Sequence, residues 1–240
     1  MITDIKPDHF FHRIINASRL LVDGRYSILI NELKRQLDSE SLSFGLQRDL
    51  KNNFEPPKAK INISIRHLKN EDIDSLLDNR THNPAEDRAI SDQRGIVDAG
   101  IPGCFVAVTD DNKPCYMQWL ISSEHNDMVA GHFKGLFPTL NKPEALLEGA
   151  YTPPSFRGMG IMPAAMAQIA KEANGINATL VNTFVDINNI ASLKGCRRAG
   201  FAPYVLRKDK WFMFRRAITF HPIPAPLLET YNRNTADKIS

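Results

Sequence analysis

The stretch "ALLEGAYTPPSFRGMGIMPAAMAQIAKEANG" (145–175) constrains the chain more than any other. An apolar run suited to a buried strand gives way to a turn bracketed by Gly158 and Gly160, and a helix-period run closed by Gly175 follows at once. Where a helix begins, the first N–H groups have no intrahelical partner, here those of residues 158–162. The glycines remove the Cβ atoms that would hold an anion away, and the helix dipole adds partial positive charge. Pro163 lacks only an N–H that would be orphaned anyway. Ala164, Ala165, Ala167 and Ala170 make the helix thin enough to lie close on a sheet. A diphosphate suits such a pocket, although "RGMG" alone is equally readable as a tight turn that binds nothing. A Walker loop is excluded, because no Lys–Ser/Thr pair follows. A dinucleotide fingerprint would need a third glycine where Pro163 stands.

Around this unit the chain reads as a mixed α/β layer built on one sheet. Residues 8–38 carry helical spacing, with Phe10, Phe11, Ile14, Ile15, Leu20 and Leu21 on one face and a break at Gly24. "EPPKAK" (55–60) is an extended connector, so a helical extension over 1–58 is expected to precede an α/β domain over 59–240. In that domain, strands are expected at 61–68, twice within 104–122, at 145–152 and 178–186, and at "YVLRKD" and "WFMFRRAI". Helices are expected at 70–79, around 84–98, at 161–175 and at 189–199, while 123–143 reads as a long connection of the kind that carries function.

Charge and cysteine usage narrow the setting. Hydrophobic residues at 42% and charged residues at 24% support a globular core. A formal net charge of +3 is too small to argue for nucleic acid. Cys104, Cys115 and Cys196 are odd in number, far apart and in no CxxC pair, which points away from disulfides and zinc and toward a reducing, cytoplasmic compartment. No bound metal is expected. The first residues lack a signal-peptide pattern, and no run is long enough to span a bilayer.

A second motif, "NNIASLKGCRRAGF" (188–201), follows a buried strand and ends in Gly-Phe. Together with "TPPSFRGMGIM" it resembles the GNAT superfamily of acyl-CoA-dependent N-acyltransferases over about residues 61–218. In that family an [RQ]xxGx[GA] turn follows one strand, and an Asn-xx-[Ser/Ala] helix follows the next. Arg157 and Gly160 match the first pattern, and Asn189, Ser192, Gly200 and Phe201 match the second; Met162 departs from the usual Gly or Ala.

The resemblance implies a twisted mixed sheet flanked by helices, with acetyl-CoA or another acyl-CoA as cofactor. Its diphosphate would lie on the amides of Arg157, Gly158, Met159, Gly160, Ile161 and Met162. The pantetheine arm would pair along Ala150, Tyr151 and Thr152 and meet Asn189, beside Ser192.

Acyl transfer from a thioester to an amine needs a base, a donor for the developing oxyanion and a proton for the leaving thiolate. Glu148 is the favoured base, sharing a strand face with Ala150 and Thr152 by alternation, with Asp186 in reserve. A Glu paired with a neighbouring cation is the structural alternative. The backbone near Tyr151 or Thr152 is the oxyanion donor by resemblance. Many family members place a Tyr seven residues after the Asn as acid; here that place is Cys196, with Tyr151 as substitute. A buried, inert thiol is the simpler reading of Cys196.

The expected acceptor is a primary amine on a small molecule. Two alternatives stay open: a fold that holds CoA without turning it over, and a synthase using long-chain acyl-CoA or an acyl carrier protein. The apolar faces of the N-terminal helices need cover from the sheet or from a second copy in a homodimer. Phe10 and Phe11 beside Arg13 and Arg19 leave peripheral membrane contact open.

Overall fold

A computed structural model describes residues 36–77 and 83–236. Residues 42–207 and 220–236 belong to the larger of two compact units, and residues 36–41 and 208–219 to the smaller. In chain order the strands are β1 (Asp38–Asp49), β2 (Ser64–His67), β3 (Cys104–Val108), β4 (Pro114–Ser122), β5 (Glu144–Tyr151), β6 (Leu180–Asp186), β7 (Ala202–Phe212) and β8 (Arg215–His221). The helices are α1 (Asn70–Leu77), α2 (Pro84–Asp98), α3 (Asn126–Phe133), α4 (Ile161–Glu172), α5 (Ile190–Arg198) and α6 (Ala225–Thr235).

Within the larger unit the strands run in the order β2-β3-β4-β5-β6-β1-β7. Successive pairs from β2 to β5, and β1 with β6, are antiparallel, whereas β5 and β6 are parallel. β4 is buried along its whole length except Ser122, as its near-continuous apolar sequence requires of a strand covered on both faces. Helices cover both sides of this open mixed sheet. Ile161, Ala165, Met166 and Ile169 of α4, Leu193 of α5 and Tyr231 of α6 pack with Leu46, Tyr116, Leu120 and Leu147. Leu76 and Leu77 of α1, Ile90 and Ile96 of α2 and Val129 of α3 pack with Val106, Met117, Trp119 and Leu146.

α2 begins where expected: Asn83 caps it by accepting from the Ala85 N–H at 3.0 Å, and Pro84 occupies the first turn. The 123–143 stretch is more ordered than a plain connection. It contains α3, and Asn126 pins the returning chain by donating to the Leu140 carbonyl at 3.0 Å and accepting from the Leu140 N–H at 2.9 Å.

Three departures from the sequence reading stand out. The helix expected over 8–38 lies largely outside the described residues, and from Asp38 the chain is strand rather than helical extension. Residues 43–49 of β1 lie antiparallel to β6, with Ser43 opposite Asp186 and Asp49 opposite Leu180. Phe44 and Leu46 enter the core, and Arg48, itself buried, donates to the carbonyls of Ala167 and Ala199 at 3.2 and 3.1 Å. Secondly, the run "WFMFRRAI", expected as one strand, is broken by a turn at Met213–Phe214, with φ of 45° and 63° at those two residues. These are left-handed values that Gly or Asn would normally supply, which hid the turn. Thirdly, α6 follows Pro224 in a tail that the sequence reading left unassigned.

Candidate active site

The site begins where two parallel strands part. β5 and β6 pair only over Glu144–Leu146 and Leu180–Asn182. Beyond that, β5 stays paired with β4 as far as Tyr151, and β6 stays paired with β1 as far as Asp186. Their facing edges therefore open while their outer edges are held.

β5 also bends here. Trp119 pairs with Glu148 and Met117 with Tyr151, so Gly149 and Ala150 together oppose Gln118 as a β-bulge. Gly149 has φ of 68°, and a Cβ there would strike Trp119 at 2.7 Å, so both backbone and packing require glycine. The bulge breaks the simple alternation expected of this strand, yet Glu148 and Ala150 both line the resulting cleft of about 200 Å³.

At the mouth of the cleft lies the glycine turn. Gly158 and Gly160 have φ of 77° and 72°, and Gly160 is the N-cap of α4 with no side-chain cap. Among the described residues, no hydrogen bond is made by the N–H groups of residues 158–162. Met159 instead uses its carbonyl, accepting from the Lys60 N–H at 2.8 Å. Met162 lines the cleft and lies over Gly195 of α5, which has no side chain to oppose it.

Arg157, expected to offer its amide to the diphosphate, has none open, since its N–H donates to the Pro154 carbonyl at 3.3 Å. Its Nε donates to the Thr152 carbonyl at 2.9 Å, and its Nη2 reaches both carboxylate oxygens of Glu86 at 2.8 and 2.7 Å. The hydroxyl of Tyr151 donates to the same Glu86 at 2.8 Å. The buried Glu86, in the first turn of α2, thus ties the end of β5 to the glycine turn. It is a residue that sequence reasoning missed. Burial and the Glu86 carboxylate push the Tyr151 phenol far above its ordinary range, and its side chain packs with Met117 and Trp119. The Tyr151 hydroxyl is thereby committed to Glu86.

Glu148 is half-buried, and burial pushes its carboxyl up to about 7 against the opposing pull of the Gly149 N–H and Arg207. Asp186 is exposed at the other lip, where its Oδ1 accepts from the Asn188 N–H at 2.8 Å. Asn189 caps α5 by accepting from the Ser192 N–H at 3.1 Å, and both residues line the cleft. Cys196 lines it too, but burial first and Glu148 second push its thiol up to about 12. Gln118, Thr183 and Met166 also face the cleft without having been singled out. Gln118 alone carried a sequence signal, as the one polar side chain inside the apolar run "CYMQWLI".

Parted strands, a bulge and an uncapped glycine turn at a helix start thus lie around one cleft, and the comparisons give the family of the chain. The profile of the Acetyltransferase (GNAT) family matches residues 72–201, over half of the sequence, and the chain belongs to that family. No curated protein sequence matches significantly. Among solved structures, similarity extends to a GCN5-related glucosamine N-acetyltransferase region of a fungal multi-domain GH3 β-N-acetylglucosaminidase. There the TM-score is 0.51 at 14% identity, covering 83% of this chain and 23% of that one. A GNAT-family acetyltransferase from Colwellia psychrerythraea gives 0.45 at 17% identity, covering 83% and 62%. A GCN5-related N-acetyltransferase from Sphaerobacter thermophilus gives 0.42 at 14%, covering 77% and 56%. The chain spans less than two thirds of the length of each. No helix among the described residues is long and apolar enough to cross a membrane.

Proposed function

We propose that the protein transfers an acetyl group from acetyl-CoA to a primary amine on a small molecule by direct attack, with Glu148 as base. The observation that carries this reading is the continuity of the parted β5–β6 edges with the open amides of residues 158–162. A diphosphate fits those amides, since no described group fills them and glycine keeps Cβ atoms clear at 158 and 160. The extended arm of the cofactor would run past Ala150, Tyr151, Thr152 and Asn189, bringing the acyl thioester to Glu148. The polar lining of the cleft by Gln118, Glu148 and Thr183 suits a short acyl group better than a long one.

In the reaction the amine nitrogen bonds to the acyl carbon, the carbon–sulfur bond breaks, and the sulfur leaves with the bonding pair. The proton from nitrogen passes to Glu148, whose value of about 7 makes it a competent base near neutrality. Cys196 is a wall rather than an acid in this reading. A thiol held at about 12 does not donate downhill to a CoA thiolate of ordinary pKa ~8.5, so that thiolate takes its proton from solvent. Tyr151 contributes through its backbone, since its hydroxyl is engaged by Glu86.

The lack of a side-chain acid among the described residues lining the cleft also favours a second reading, in which the fold holds CoA without turning it over. Thiol release from acetyl-CoA across a panel of small primary amines separates the two. Amine-dependent release is expected, falling about 100-fold in Glu148→Gln. Binding of CoA with no release for any amine would establish the holding role instead, and an unimpaired Glu148→Gln variant would remove Glu148 as base.

A further inference from the structure

Gln118 lies in the middle of β4, is 1% exposed, and faces the two-residue bulge at Gly149–Ala150. A buried amide has two donors and a carbonyl to satisfy. Only the carbonyl is engaged, with Oε1 accepting from the Tyr116 hydroxyl at 2.8 Å. Burial raises the Tyr116 phenol well above its ordinary value, so the hydroxyl keeps the proton that it donates to Oε1. The Nε2 group has no partner among the described residues, on a side chain that lines the cleft. That donor is not sealed in the core but opens on the cleft, where a ligand can complete it. Bulge, amide and Glu148 meet in the same part of the cleft, which is where the reading above puts the reacting carbonyl.

We propose that Gln118 Nε2 donates a hydrogen bond to the thioester carbonyl oxygen of the bound acyl-CoA, with Tyr116 as the residue that positions it. This rests on the acyl-CoA reading of the cleft. It adds a side-chain donor, supplied by the central strand, to the polarisation of the carbonyl as its oxygen gains negative charge.

The test compares two probes by calorimetric titration: acetyl-CoA, which has the carbonyl, and S-ethyl-CoA, which replaces it with a methylene. The wild-type protein should bind acetyl-CoA about fivefold more tightly, the worth of one net hydrogen bond. In Gln118→Met and in Gln118→Glu, which keeps an acceptor for Tyr116, the two affinities should converge while that for S-ethyl-CoA holds. Tyr116→Phe should narrow the ratio part-way, again without moving S-ethyl-CoA. Retention of the full preference in either Gln118 variant overturns the assignment. Titration with CoA itself separates the failures. If wild-type protein does not bind CoA, the cofactor reading falls and the donor with it; if CoA binds but the two probes bind equally, only the donor falls.

Discussion

In the proposed reaction a single carboxyl group carries most of the chemistry, and its environment would tie activity to stability. The native Glu148 carboxyl holds its proton up to about pH 7, whereas an unperturbed glutamate titrates at 4.5. Between those values the folded state binds more protons than the unfolded one, so stability falls as pH rises through the window and stays lower above it. Glu148→Gln removes that penalty. Its melting temperature should exceed that of the wild-type protein at pH 8, by on the order of 1 kcal/mol in unfolding free energy, and approach it at pH 5. The wild-type kcat/KM for acetyl transfer should fall tenfold per pH unit below about 7 as the base is protonated. A melting temperature that is lower in the variant at pH 8 would show that the carboxylate is instead stabilised by a partner. Glu148 was legible because strand position and the glycine turn together put it at the cleft. Its elevated titration was not, because that depends on burial in a cleft lined by Gln118 of β4 and Cys196 of α5, which are distant in sequence. Glu86 had no signal at all, since nothing in "NPAEDR" announces that one of its acids will hold Arg157 and Tyr151.

Between elements, one close accommodation is Met162 of α4 against Gly195 of α5. A Cβ on Gly195 would approach the Met162 sulfur to 2.5 Å. Glycine inside a helix costs about 1 kcal/mol relative to alanine, so its presence here is accounted for by the methionine above it. Gly195→Ala should therefore destabilise the wild-type protein by about 1 kcal/mol through overpacking, and stabilise a Met162→Ala background by ~0.5–1 kcal/mol. A double-mutant cycle in denaturant reads the sign reversal directly, and two independent effects would refute the pairing. Sequence showed that Met162 departs from the family pattern, but not that its space is provided by a glycine thirty-odd residues on. β1 had a usable signal in the alternation Leu42, Phe44, Leu46. Gly45 obscured it. A Cβ at that glycine would strike Val205 and Phe184 on the neighbouring strands, so a residue that reads as a strand breaker is a requirement of close packing.

For the whole chain, the strand inserted between β6 and β7 decides where the fold can be cut. The Pro-bearing connector at 55–60 looks like a boundary, but a chain beginning at residue 59 would lack β1. It would expose the β6 edge from Leu180 to Asp186 and leave the Ala167 and Ala199 carbonyls without Arg48. Such a truncation should lose cooperative thermal unfolding or aggregate; a sharp, soluble transition would show that β1 is an accessory. Element order downstream of the connector was largely legible, because each strand or helix there carries its own period. Strand order was not, since pairing across more than a hundred residues leaves no local trace.

The parted strands have one more consequence. Each is zipped to a neighbour along its far side, so the gap cannot heal by drifting shut without unpicking a registered ladder elsewhere. The slot is consequently architectural, standing ready before any guest arrives. An extended visitor finds its berth already carved and need not mould its host.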